Sequence, residues 1–141
     1  MIDASVAVKW VFPDPLMEPD ADRAVAVLRA LRDALVDVLQ PPHWLLEVMA
    51  VVARIAPDLC VPALTLLDAL ELDICDDVSV LGRDAALAAE LDHHLFDTLY
   101  HAVALEREAT LLTADARYAR KARGKGRVLL LGEPMPILGL N

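Results

Sequence analysis

Asp3, Glu47, Asp97 and Asp115 are the residues whose type could do chemistry if the fold brought them together. Carboxylates gathered in a partly buried site repel one another, and each holds its proton more tightly unless a cation neutralises the group. Magnesium or manganese suits that role. Magnesium takes hard oxygen ligands, keeps several waters and accepts one or two carboxylates beside a substrate phosphate, and manganese shares the preference for carboxylate and water. A cation so held lowers the pKa of a bound water and stabilises charge during displacement at phosphorus, so no side-chain nucleophile is required. Each acid also has a plainer role. Asp3, Asp97 and Asp115 lie where helices are expected to start, and aspartate is a preferred cap there because its oxygen accepts unpaired backbone amides. Glu47 stands among Trp44, Leu45, Leu46, Val48 and Met49, and its helical neighbours His43, Ala50, Val51 and Arg54 fit a solvated helix face equally well.

The elements that must position these acids follow from periodicity and punctuation. Ile2 to Trp10 opens with a short β-like piece. After a proline-rich turn, Phe12 to Pro19, the spacing of Val25, Leu28, Leu31 and Leu35 predicts a helix from Asp20 to about Val38. Pro41 and Pro42 break the chain; His43 to Ile55 then reads as a helix that Pro57 ends, with another from about Asp58 to Leu70. Leu72 to Val78 reads as a short strand, Asp84 to Glu90 as a short helix, and Leu95 to Glu106 as a longer helix leading into the strand Thr110 to Thr113. A final helix, Ala116 to Ala122, precedes the apolar strand Val128 to Leu131. Nearly continuous apolar strands separated by helices predict an α/β chain, a three-layer α/β/α sandwich around a central, mostly parallel sheet. Such sheets place their sites at the carboxyl ends of strands, the edge that Asp3, Asp97 and Asp115 are expected to occupy.

A chain of 141 residues is expected to form one domain, residues 1–141. Its hydrophobic content of 57% and mean hydropathy of +0.43 predict a heavily buried interior and an apolar surface kept for another subunit. Apolar runs fall well short of the roughly 18 residues a membrane span needs. The opening MIDASVAVKW carries an acid at position 3 and no basic region before a long apolar stretch, so no secretion signal is expected and the default location is the cytoplasm. Cys60 and Cys75 lack a CxxC pair or a histidine at ligand spacing, which argues against zinc and a disulfide framework and for buried thiols.

Four segments resemble a known family, the PIN domains, and within it the VapC-type toxins. IDASVAVKW is similar to the family's first motif; LLEVMAVVAR to its second, with an acid on a helix; HHLFDTLYHAVALE to its third; and LLTADARYARKA to its fourth. They span positions 2 to 122 in the family's order. Family members usually carry more apolar residues before the first aspartate, where this chain has Met1 and Ile2, so either the first strand is shortened or the true start lies further upstream. The resemblance implies a PIN-like fold and a magnesium- or manganese-dependent endoribonuclease, commonly a homodimer, held inactive by a cognate VapB-type antitoxin. It places the family acids on Asp3, Glu47, Asp97 and Asp115, with Asp3 and Asp97 most expected to touch metal, and Ser5 and Thr113 at supporting hydroxyl positions. A reading of another class is a catalytically weak module of the same fold, devoted to dimerisation and antitoxin binding. Cleavage of structured DNA is a third.

A net charge of −9 and a pI near 4.7 argue, as bulk values, against a polyanionic partner. The distribution of charge argues the other way: six of the thirteen basic residues lie between Arg117 and Arg127 with no acid among them. Arg117, Arg120, Lys121 and Arg123 are thus candidates for RNA phosphates at the rim of the site, weighed equally against an ordinary solvated helix with cations near its C-terminus. Lys9 is open in the same way. His93 and His94, being adjacent, diverge on a helix and are read as structural or surface groups; Trp10, Trp44 and Tyr100 lie in apolar patterns and are read as core.

Overall fold

The computed structural model describes residues 1–14, 16 and 18–140. The apolar segment after Asp3 is a helix rather than the β-like piece that its sequence suggests. Helix α1 (Ala4–Val11) starts where the Asp3 carboxylate accepts the Ser5 amide at 3.0 Å, and Val6, Ala7, Val8, Lys9 and Trp10 are all buried. A helix enclosed on most sides has no polar stripe, so its sequence is a short apolar run that periodicity cannot tell from a buried strand. Pairing is confined to the residues before it. Ile2 bridges Leu112 in parallel, the Leu112 amide donates to the Met1 carbonyl, and the Asp3 amide donates to the Leu112 carbonyl, both at 2.9 Å.

Helix α2 (Ala21–Arg32) stops six residues before the expected Val38. Ala34 takes a left-handed φ of 53°, its amide bonds the Leu31 carbonyl at 3.0 Å, and the Leu35 amide reaches the Ala30 carbonyl at 2.9 Å. That closure is a Schellman motif, which satisfies the last carbonyls of the helix. The expected turn before α2 includes Pro15 and Met17, which lie outside the described residues. Helix α3 (Trp44–Ile55) follows the expected span, and a 3₁₀ turn, Pro57–Leu59, precedes α4 (Cys60–Asp68). Helix α5 (Val80–Leu91) begins earlier than expected, whereas α6 (Leu95–Glu106) and α7 (Ala116–Ala122) match.

The strands are short. Strand β1 (Leu39–Gln40), not anticipated from the sequence, pairs in parallel with β2 (Asp73–Ile74), and β3 (Leu111–Thr113) pairs in parallel with β4 (Val128–Leu130). The chain is thus α/β, with its strands, among the described residues, in two parallel pairs. Gln40 ties one pair to the other. Fully buried, its side-chain amide donates to the Ile2 carbonyl at 2.8 Å and accepts from the Ile2 amide at 2.9 Å, standing in for a peptide unit of a neighbouring strand.

Val6, Val48, Val52, Val103 and Leu111 centre the core, α1 packs against α2 and α3, and α5 packs along α6. Trp10, Trp44 and Tyr100 are buried, as their apolar surroundings imply. Cys75 is buried and Cys60 half-buried, both as free thiols. Among the described residues no helix is long and apolar enough to cross a membrane. Three transitions set the site: Ile2 passes through Asp3 into α1, β1 leads into α3 with Glu47 in its first turn, and β3 passes through Asp115 into α7.

Candidate active site

Asp3, Glu47, Asp97 and Asp115, from four distant segments, line one open cleft of about 530 Å³. At its inner corner one oxygen of Asp3 accepts the Ser5 amide and the other accepts a short hydrogen bond from the Thr113 hydroxyl. Thr113, fully buried, also accepts the Asp115 amide at 3.0 Å, while the Ser5 hydroxyl accepts the Ala114 amide at 3.0 Å. The two hydroxyls stand 3.4 Å apart, so the start of α1 and the end of β3 are stitched together around Asp3. Asp115 caps α7, accepting the Arg117 and Tyr118 amides at 2.8 and 3.0 Å. Capping and cleft lining therefore coincide at Asp3 and Asp115. Asp97 is no cap: it lies in the first turn of α6, whose N-cap is His94, and its side chain is 49% exposed.

The acids feel one another. Burial raises the Asp3 pKa above the usual aspartate value, the Thr113 and Ser5 hydrogen bonds pull against it, and the charges of Asp97 and Glu47 push it further up. Asp97 is raised too, first by desolvation and then by Glu47 and Asp115, with His93 and His94 opposing. Glu47 is half-buried with Oε2 3.4 Å from His43 Nε2, so it faces the cleft rather than open solvent.

The PIN domain family model matches residues 1–124. This chain belongs to the PIN-domain family. PIN domains are metal-dependent nucleases, often found in toxin–antitoxin systems. No curated protein and no solved structure matches the chain.

The donors lining this PIN domain's cleft are hard carboxylate oxygens, the chemistry that magnesium and manganese prefer. Among the described residues no three Asp, Glu, His or Cys side chains are gathered closely enough to enclose a metal by themselves. An all-protein cage is not what magnesium asks for, since it usually retains waters and shares its shell with substrate phosphate. The donor set fits an open site of that kind, with Asp3 held in its corner by two hydrogen bonds and Asp97 half exposed.

Sequence reasoning missed part of the cleft. His93, read as a structural or surface group, is packed rather than on the surface, and it lines the cleft: its side chain is 14% exposed, Nε2 lies 3.1 Å from Asp97 Oδ2, and its ring leans on Tyr118 with centroids 5.0 Å apart. Its four-residue spacing from Asp97, repeated by His43 and Glu47, was the available signal. Lys9 is buried and bonds Glu18 at 2.7 Å, and both line the cleft; Glu18 lies in a turn, where periodicity says nothing. Behind the acids, the Tyr100 hydroxyl, His43 Nδ1 and Asp84 Oδ2 are buried without a hydrogen-bond partner among the described residues. Burial, and then the neighbouring Glu47, push the Tyr100 pKa far above the usual phenol range, so its hydroxyl keeps its proton.

The basic segment is not one patch. Arg123 pairs with Glu133 at 2.5 Å, Lys125 with Glu90, Arg127 donates to the Glu108 carbonyl at 2.5 Å, and Lys121 donates to the Asp92 carbonyl at 2.6 Å. Arg120, Lys121 and Arg123 do not line the acid cleft, and Arg117 stands beside it on the first turn of α7.

Proposed function

We propose that this PIN-domain protein is a magnesium- or manganese-dependent endoribonuclease that acts as the toxin of a toxin–antitoxin pair. The observation that carries the reading is the meeting of Asp3, Glu47, Asp97 and Asp115 in one cleft, where burial first and then like charge raise the Asp3 and Asp97 pKa values. A divalent cation relieves that repulsion and, when bound, supplies a water of lowered pKa and charge stabilisation at phosphorus.

In this reading the chain's own residues divide the remaining work. Asp3 is held in one orientation by the Thr113 hydroxyl and the Ser5 amide, so the cation meets a preorganised carboxylate. Asp97 offers an accessible carboxylate steadied by His93, while Glu47, beside His43, and Asp115, held by the amides of α7, complete the negative wall. The exposed apolar side chains Leu46, Ile55, Val61 and Phe96 suit a second copy of the chain or an apolar, partly helical segment of a VapB-type antitoxin. One domain, in a PIN-like α/β/α arrangement in the cytoplasm, completes the proposal.

Incubation of the parent, Asp3→Asn and Asp97→Asn proteins with RNA and magnesium tests it. The parent is expected to cut and both variants to lose cutting; undiminished cleavage by both refutes the assignment. A parallel DNA substrate decides between the polymers, since nothing in the cleft is seen to read a 2′-hydroxyl. An interaction module with weak catalysis would leave RNA uncut by the parent, with or without magnesium.

A further inference from the structure

Beside the acid cleft lies a second cavity of about 310 Å³, lined by Asp92, His93, His94 and Arg117. The two cavities share His93 as a wall. Asp92 closes α5 in a left-handed conformation, φ 45°, and the His93 amide returns to the Ala88 carbonyl at 3.0 Å, which turns the chain to set His93 and His94 at this place.

Arg117 differs from most of its basic neighbours. Arg123, Lys121, Lys125 and Arg127 all bond carboxylates or carbonyls, whereas the exposed Arg117 and Arg120 guanidiniums have no hydrogen bond or ion pair among the described residues, and of these two only Arg117 lines the cavity. Its backbone is fixed to the active site all the same, because its amide donates to Asp115 at 2.8 Å. Arg117 follows Asp115 by two positions, a span of at most about 7 Å between Cα atoms. The cation is therefore tied next to the acids and stands ready for an anion that is not part of the protein.

Resting on the nuclease reading above, we propose that this second cavity seats the RNA phosphate adjacent to the one being cut, with Arg117 as its anchor and His94 as its polar wall. The strand then runs from the acids, over His93, to Arg117. An arginine suits the task because its planar fork can hold two phosphate oxygens at once. The chain needs such an anchor: with a net charge of −9 and five acids in the neighbouring cleft, a polyanion is attracted only where free cations are concentrated. The cavity also holds the exposed Asp92, whose backbone carbonyl accepts from Lys121, and its His93 wall is engaged by Asp97.

Fluorescence anisotropy of a short labelled single-stranded RNA tests the subsite in the full chain carrying Asp3→Asn, so that the strand stays whole, with magnesium and a series of salt concentrations. Adding Arg117→Ala is expected to weaken binding about tenfold, or about 1.4 kcal/mol, and to flatten the logarithmic salt slope by about 0.7, the loss of one phosphate contact on a single strand. Arg120→Ala, on the same helix but lining neither cavity, is expected to change affinity less than about twofold. Equal losses in the two variants, or none with Arg117→Ala, overturn the subsite. Cleavage supplies the second readout: Arg117→Ala in the otherwise unaltered protein should raise KM about tenfold with kcat nearly kept. An unchanged KM in a protein that still cuts RNA sinks the subsite alone, while a parent that neither binds nor cuts RNA sinks the nuclease reading with it.

Discussion

Asp3 and Asp97 face the same cleft, yet they are held in opposite ways. Asp3 lies in a corner where the Thr113 hydroxyl, the Ser5 amide and the bridge between Ile2 and Leu112 leave it no freedom. Asp97 projects from the first turn of α6 with half its side chain exposed and His93 as its one ion-pair partner among the described residues. The difference teaches where the fold invests order. One acid is built into the junction of two elements, and the other is left reachable to a cation and its waters.

The largest expected effect should erase that difference: Asp3→Asn and Asp97→Asn should each lower RNA cleavage roughly a hundredfold or more, beyond the 10–100-fold usual for groups that merely orient a metal ligand. Retention of near-parental rate by one variant in a single-turnover assay would show that its acid is not a partner of the other. The next effect should expose the difference. Thr113→Val, which removes the hydroxyl that Asp3 accepts, is expected to cost about tenfold in kcat, with Thr113→Ser recovering most of it, whereas His93→Ala should cost only a fewfold at Asp97. Equal losses would mean that both acids depend alike on their supports.

A third effect lies in stability, where the sign follows from proton linkage. Burial and like charge raise the Asp3 pKa in the folded chain, so the folded state binds that proton more tightly than the unfolded one. The stabilisation is fully present below the ordinary aspartate value of 3.8 and is lost as pH rises through the raised value. At neutral pH the ionised carboxylate therefore weakens the metal-free fold, and Asp3→Asn should melt roughly 3–5 °C higher than the parent in a chelator, with the gain vanishing at acid pH. The more exposed Asp97→Asn should gain less. A lower melting temperature for Asp3→Asn at neutral pH would show that its hydrogen bonds outweigh its burial. The smallest effect belongs to the wall behind both acids: Tyr100→Phe, which deletes a buried hydroxyl without a partner, should change stability by no more than about 1 kcal/mol in denaturant melts.

Much of this was legible in the chain. Asp3, Asp97 and Asp115 stand out because each sits at an element boundary or in the first turn of an expected helix, while Glu47 lies inside one, and α3, α6 and α7 announce themselves through periodicity. The end of α2 was not legible for a specific reason: Ala34 takes the left-handed turn that glycine usually marks, so no letter in the sequence signals it. Helix α1 was hidden by its own burial, since Val6 to Trp10 offer no polar face to betray a helical period. Strand β1 escaped because half of its pairing is done by the Gln40 side chain, and side-chain pairing leaves no periodic trace. The contributions of His93, Lys9 and Glu18 to the cleft depend on which loops meet, which spacing alone could not supply. The basic segment looked uniform in sequence, and only the positions of Glu90 and Glu133, and of the Asp92 and Glu108 carbonyls, divide it into engaged and free cations.

Calorimetric titration of manganese into the metal-free protein bears most directly on the central idea that acids from distant segments share one divalent cation. The parent should bind at the cleft, and Asp3→Asn and Asp97→Asn should each weaken that binding about tenfold or more. A parent that takes up no manganese, or two variants that bind as tightly as the parent, would contradict the account.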